Sequence, residues 1–233
     1  MVGAETLALI PTSRHPLSAI NAVKGNLIII SSPSGGGKGT LIHEVRGMLP
    51  ELGFAVSHTT RPMRFGEEEG REYYFIDRHR FEQKVAAAEF VEYAIVHGNL
   101  YGTSVAEVEK WKDSGKDLIV EVDVQGALAI INSDRITNVV SIFILPPSFE
   151  VLEARLTARA TEDTNELQTR LRNSFHEVLQ FEHFKYVVVN VNIAGASQQI
   201  ASIIRSERQL LDRQRDAIRD ILDSFDASRH RFE

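Results

Sequence analysis

The stretch best equipped for chemistry is Ser32-Pro33-Ser34-Gly35-Gly36-Gly37-Lys38-Gly39-Thr40. It follows the apolar run Leu27-Ile28-Ile29-Ile30 and precedes Leu41-Ile42-His43-Glu44-Val45, which reads as a helix. A buried strand, a glycine-rich turn and a helix start, in that order, make a phosphate cradle. Glycines let backbone N–H groups converge on anionic oxygens with no Cβ in the way. The helix N-terminus adds unpaired donors and a partial positive charge. Lys38 supplies a full charge for the outer phosphates. The match to G-x-x-x-x-G-K-[ST] is incomplete, because Ser32 replaces the first glycine and Gly39 the hydroxyl residue after the lysine. The alternative for such a stretch is a flexible surface loop, and the strand–turn–helix context argues against it.

Three further groups carry charge in a suggestive pattern. Arg61 and Arg64 lie three apart around Pro62, near Ser57 and before Tyr73. An arginine fork grips a phosphate bidentately, which lysine cannot copy. The competing expectation is a solvated loop in which these arginines pair with the acids 67–69. Glu121 and Asp123 alternate with Val120, Val122 and Val124, which puts both carboxylates on one face of a strand expected over 117–124. Arg155 and Arg159 are four apart on an expected helix and share a face, with Arg170 across a polar loop.

The elements that must hold these groups alternate. Strands are expected at 26–31, 54–56, 71–75, 90–96, 117–124, 138–145 and 186–190, with helices at 41–48, 81–88, 149–159 and 166–184. Strands separated by helices argue for a mostly parallel sheet with ligands at the carboxyl ends of its strands. Residues 57–103 break that rhythm and read as a small, mostly β insertion. Residues 1–25 read as a loose extension with a short helical turn near 19–23. From 197 onward the pattern is one long amphipathic helix, with Ile204, Leu211, Ile218 and Phe225 seven apart. Such a helix either packs back onto the core or pairs with itself.

Composition narrows the classes. The chain has 233 residues, 26 basic against 32 acidic, and a formal charge of −6, which argues against nonspecific binding to nucleic acid or anionic membranes. Without cysteine there is no disulfide, thiolate metal site or thiol nucleophile. No apolar run approaches a membrane span, and the opening residues lack a signal-peptide pattern. The expectation is a cytoplasmic protein, monomer or homodimer, acting on small molecules.

Several blocks together make the chain resemble the guanylate kinases, which phosphorylate GMP from ATP. They are the 32–40 turn, Thr59-Thr60-Arg61-Pro62-Met63-Arg64-Phe65-Gly66-Glu67, Gly98-Asn99-Leu100-Tyr101-Gly102-Thr103, Glu121-Val122-Asp123-Val124-Gln125-Gly126 and Pro146-Pro147-Ser148. They occur in family order over 26–204. The resemblance implies an α/β P-loop three-layer core (26–56, 104–154 and 173–204), a mixed-β GMP-binding insertion (57–103), a helical lid (155–172) and a C-terminal extension (205–233). It implies ATP on Ser34, Gly35, Gly36, Gly37, Lys38, Gly39 and Thr40, with Mg²⁺ accompanying ATP. It places the GMP phosphate on Arg61, Arg64, Tyr73 and Tyr101, and guanine on Ser57, Glu92, Thr103 and Asp123. Lys38, Arg61, Arg159 and Arg170 become the catalytic cations.

The chain departs from the family at Ala160, where the family has glycine, and at three further points. Gly39 leaves the metal to Thr40 or to water. Glu121 stands where the family usually has aspartate. Asn190-Val191-Asn192 replaces Asn-Asp-Asp near the adenine end. A guanylate-kinase-like module that binds protein partners, or a kinase for another nucleoside monophosphate, are the competing readings.

Overall fold

The computed structural model describes residues 25–96, 98–112, 114–133, 136, 138–158 and 164–229. The turn expected at 19–23 and the side chain of Arg159 lie outside them.

In chain order the elements are β1 (Leu27–Ser31), α1 (Lys38–Met48), β2 (Gly53–Phe54), β3 (Ser57–Thr59), β4 (Tyr73–Phe75), α2 (Arg78–Ala86), β5 (Phe90–Val96), β6 (Asn99–Ser104), α3 (Val105–Lys112), β7 (Leu118–Glu121) and α4 (Val124–Ile131). Then follow β8 (Val139–Leu145), α5 (Phe149–Ala158), α6 (Thr164–Val178), a 3-10 turn (Leu179–His183), β9 (Tyr186–Val189), α7 (Ile193–Arg208) and α8 (Leu211–Ser228).

Five strands form one sheet in the order β2-β7-β1-β8-β9, every pair parallel. Strand β1 lies at its centre and is buried throughout. Its side chains alternate between two cores, as a strand covered on both faces requires. Ile28 and Ile30 join Leu41 and Val45 of α1 and Ile200 and Ile204 of α7. Leu27 and Ile29 join Val108 of α3 and Ala127 and Ile130 of α4. Helix, sheet, helix is the three-layer arrangement expected. Each such aliphatic side chain stabilises the fold by about 1.5–3 kcal/mol.

The second sheet, order β4-β3-β6-β5, is mixed: β3 and β4 run parallel, while β3–β6 and β5–β6 are antiparallel. It occupies the span between β2 and α3. Among the described residues no helix is long and apolar enough to cross a membrane.

Three sequence expectations need correction. The strand expected over 117–124 stops at Glu121, because the Asp123 side chain accepts the Gly126 amide at 2.9 Å and starts α4. Helices α3 and α4 were not anticipated at all. The single C-terminal helix is two, broken at Gln209 and at Leu210, whose backbone is extended (ψ 139). Arg208 is held by Asp117 and Glu51 on one side of the break, and Arg213 by Asn26 and the Gly25 carbonyl on the other. Those ties turn the chain. The apolar stripe of α8 does not reach the core: Leu211, Ile221, Leu222 and Phe225 are exposed.

Candidate active site

The glycine turn leaves β1 and ends on Gly37, the N-cap of α1, at φ 91. That left-handed backbone suits glycine, and a Cβ there would lie 2.5 Å from Nδ2 of Asn190. No side chain caps α1, and its first turn holds no acid. Its leading amides are therefore open to an anion. The turn is braced from behind: Nδ2 of Asn190 donates to the Gly36 carbonyl at 3.0 Å, and Nη2 of Arg155 donates to the Asn190 carbonyl at 3.0 Å. Lys38 leans away from the turn, its Nζ 2.5 Å from the Val122 carbonyl and 3.9 Å from Oε1 of Glu121.

This turn forms one wall of a cavity of about 380 Å³. The opposite wall comes from the second sheet and carries Ser57, Arg61, Arg64, Tyr73, Glu92 and Tyr101. Asp123 lines it from the start of α4, and Arg170, Asn173 and Glu177 from one face of α6. Thr40 and Thr103 are absent from the lining. Thr40 is exposed, one helical step beyond Gly39, whereas Thr103 is fully buried behind the wall.

Thr103 nonetheless acts on the cavity through Glu92. Its amide and its hydroxyl both donate to Oε1 of Glu92, at 2.9 and 2.7 Å. Its hydroxyl proton is thereby committed, so the Ser57 hydroxyl, 3.1 Å away, must donate to it. Glu92 is 4 % exposed. Burial pushes its carboxyl up to about 7; the Thr103 hydroxyl opposes that shift and the charge of Asp123 adds to it. Burial likewise raises the Asp123 carboxyl, against the pull of the Gly126 amide.

Arg61 shows the competing expectation realised in part. Its Nη1 and Nη2 grip Glu67 at 3.0 and 2.7 Å, and this fork holds the Glu67 carboxyl below its usual range. The guanidinium lies 5.5 Å from the Tyr73 ring centroid, and Tyr73 meets Tyr101 edge-on at 5.7 Å. Burial raises the Tyr73 hydroxyl, which stays neutral.

The sequence reading overlooked Asn173, although its spacing of three from Arg170 was the available signal. Glu177, on the same face of α6, accepts the Ser34 amide.

Among the described residues no three His, Asp or Glu side chains converge to hold a metal ion alone. Magnesium is commonly held by one or two carboxylates together with substrate phosphates. Glu121 and Asp123, both lining the cavity, are hard oxygen donors of that kind.

A phosphate cradle on a parallel sheet, facing arginines and a buried acid across one cavity, defines a P-loop enzyme that brings two nucleotides together. Residues 24–207 match the model of the guanylate kinase family. The chain belongs to that family, the ATP:GMP phosphotransferases. A guanylate kinase of Thermotoga maritima is 42 % identical over 196 residues, covering 84 % of this chain and 94 % of that one. One from Neisseria meningitidis is 43 % identical over 201 residues, covering 86 % and 97 %. The crystal structure of guanylate kinase from Anaplasma phagocytophilum superposes with a TM-score of 0.70 at 33 % identity, covering 88 % of this chain and 97 % of that one.

Proposed function

We propose that the two walls of this cavity hold ATP and GMP with their phosphates facing, and that Mg²⁺ accompanies ATP. The triphosphate lies on the amides of Ser34, Gly35, Gly36, Gly37 and Gly39, with Lys38 swinging from the Val122 carbonyl to the outer phosphates. Arg61, Arg64, Tyr73 and Tyr101 take the GMP phosphate, which displaces Glu67 from the Arg61 fork. Residues 57–103 are the acceptor-binding unit and 155–172 the lid, bringing Arg159 and Arg170 over the transferred group. The bond from the β–γ bridging oxygen to the γ-phosphorus breaks as a GMP phosphate oxygen bonds to that phosphorus, giving ADP and GDP with no covalent enzyme intermediate. Bound magnesium supplies charge neutralisation on the phosphate oxygens. The protein contributes position and positive charge, which dominate phosphoryl transfer.

The observation that carries this reading is the Ser57–Thr103–Glu92 chain of hydrogen bonds. It fixes one carboxylate oxygen of a buried residue that lines the cavity and leaves the other, Oε2, without a bond to Thr103. Ionised, Glu92 accepts the two donors on one edge of guanine, N1–H and the exocyclic amine. Adenine presents an acceptor at N1, which would leave two acceptors opposed. Unpaired buried groups of this kind discriminate by about 10⁴. Turnover measured with GMP, AMP, CMP and UMP tests it. GMP should exceed the others by at least about a thousandfold, and comparable rates with AMP would remove Glu92 from the selecting role.

A further inference from the structure

The second sheet meets the core at two crossings. On the way out, the Ala55 amide still donates to the Ile119 carbonyl of β7, while Ser57 already pairs with Tyr73 of β4. Val56 alone lies between. On the way back, Ser104 closes β6 and Val105 opens α3, whose Val108 sits in the core. Glu107, on the first turn of α3 and 7 % exposed, touches both crossings. Its amide donates to the Ser104 hydroxyl at 3.3 Å, and its Oε2 accepts the Val56 amide at 3.2 Å. Its Oε1 reaches further and accepts the Tyr74 hydroxyl at 3.2 Å. The Lys110 ammonium pairs with the same oxygen over 3.6 Å.

We propose that Glu107 is a positioning residue for phosphoryl transfer, fixing the angle of the acceptor wall to the cradle through Tyr74. This rests on reading that wall as the GMP site. A body joined at two points can still rock about the line through them, and a third tie stops it. Tyr74 supplies that tie, because it sits on β4, one strand outside the crossing strand β3. Its ring packs on His58 with centroids 4.9 Å apart, and His58 packs on Phe90 at 5.5 Å, so the hydroxyl is aimed. Alternation along β4 sends Tyr73 to the opposite face, where it lines the cavity 5.5 Å from the Arg61 guanidinium. The bond behind the sheet thus fixes the place of the groups in front of it. A displacement of about 1 Å between reacting groups costs about a hundredfold in rate.

Binding and turnover should therefore part company. Asp123 aside, the groups proposed to grip GMP belong to residues 57–103 and travel together, and the ATP cradle lies on the other wall. Only the step that joins the walls needs the tie. Tyr74→Phe removes the hydroxyl and keeps the ring. Calorimetry should find GMP and ATP each bound within about twofold of wild type. The value of kcat at saturation should fall about tenfold, the worth of one hydrogen bond to a charged group. A role in folding alone would instead lower the melting temperature and leave kcat per folded enzyme unmoved. In a Glu107→Ala background Tyr74→Phe should change kcat less than about twofold, because the pair acts as a unit. An unchanged or raised kcat in Tyr74→Phe, a loss of kcat matched by an equal loss of GMP affinity, or equal effects in both backgrounds would overturn the proposal. Should Glu107→Ala not fold, the single variant decides alone. A wild type that binds no GMP overturns the reading of the site itself.

Discussion

The backbone amide of Ser34, in the glycine turn, donates to Oε2 of Glu177 on α6 over 2.9 Å. A carboxylate thus occupies a donor that the proposed ATP site would offer to a phosphate. Helix α6 also carries Arg170, so an anion arriving at the turn must release the helix that bears a proposed catalytic cation. Replacing Glu177 with alanine should remove the competitor and tighten ATP binding by about tenfold, the worth of one hydrogen bond to a charged group. Burial raises the Glu177 carboxyl. The competitor is therefore strongest at high pH and fades as pH falls and the acid protonates. Calorimetry at two pH values checks both points; equal ATP affinity in wild type and variant at the higher pH would show that the contact does not compete.

Lys38 is the cation at the head of α1, and its Nζ rests on the Val122 carbonyl at 2.5 Å. Its charge is needed most when negative charge shifts across the phosphates. Lys38→Ala should lower kcat at least about a hundredfold, corresponding to about 3 kcal/mol of lost transition-state stabilisation. Steady-state kinetics with saturating nucleotides measures it, and a loss confined to KM would assign Lys38 to ground-state binding alone.

These relationships were not equally legible in the sequence. The cradle was, because an apolar strand, consecutive glycines and a helix start are local signals. Helix α4 was hidden because the alternation of Leu118 to Val124 runs past the true strand end at Glu121. What ends the strand is a side-chain bond from the Gly126 amide to Asp123, which periodicity cannot register. The break at Gln209 and Leu210 was hidden for another reason. Its apolar stripe continues in register, and the turn is set by distant partners: Asp117, 91 residues from Arg208, and Asn26, 187 residues from Arg213. In the site, the spacing of Arg61 and Arg64 was itself a signal, whereas Glu92 stood out only through the family resemblance. Glu92 reads as a surface acid at a strand edge until the fold buries it beneath Thr103 and α4.

Gly126 sits where α4 passes Glu92. A Cβ there would lie 2.4 Å from Oε2 of Glu92 and 3.2 Å from Oδ1 of Asp123. Glu92 cannot retreat freely, because Thr103 holds its other oxygen with two hydrogen bonds. Gly126→Ala should therefore turn the carboxylate away from the cavity and raise the KM for GMP at least about tenfold, a loss of one charge-assisted contact. The ATP affinity, set by the opposite wall, should hold. Unchanged GMP binding would separate Glu92 from base recognition.

Glu92 also sets an expectation for pH. Its carboxyl is pushed up to about 7 by burial, so in the free enzyme it is neutral below that value and ionised above it. Recognition of two guanine donors needs the ionised form. The value of kcat/KM for GMP should then fall about tenfold per pH unit below 7, since that quantity reports the free enzyme. The GMP phosphate itself titrates near pH 6, so the two limbs must be told apart. Glu92→Gln should abolish the limb near 7, leave the lower one, and reduce kcat/KM at pH 8. Stability should move the opposite way. A folded-state value raised above the ordinary 4.5 means that the native protein binds the proton more tightly than the unfolded chain. Stability is then fully present below 4.5 and is lost as pH rises through 7. Melting temperatures of the unliganded protein should fall across that window, and Glu92→Gln should flatten the fall. A wild-type profile of kcat/KM with no limb near 7 would mean that Glu92 is already ionised before GMP arrives.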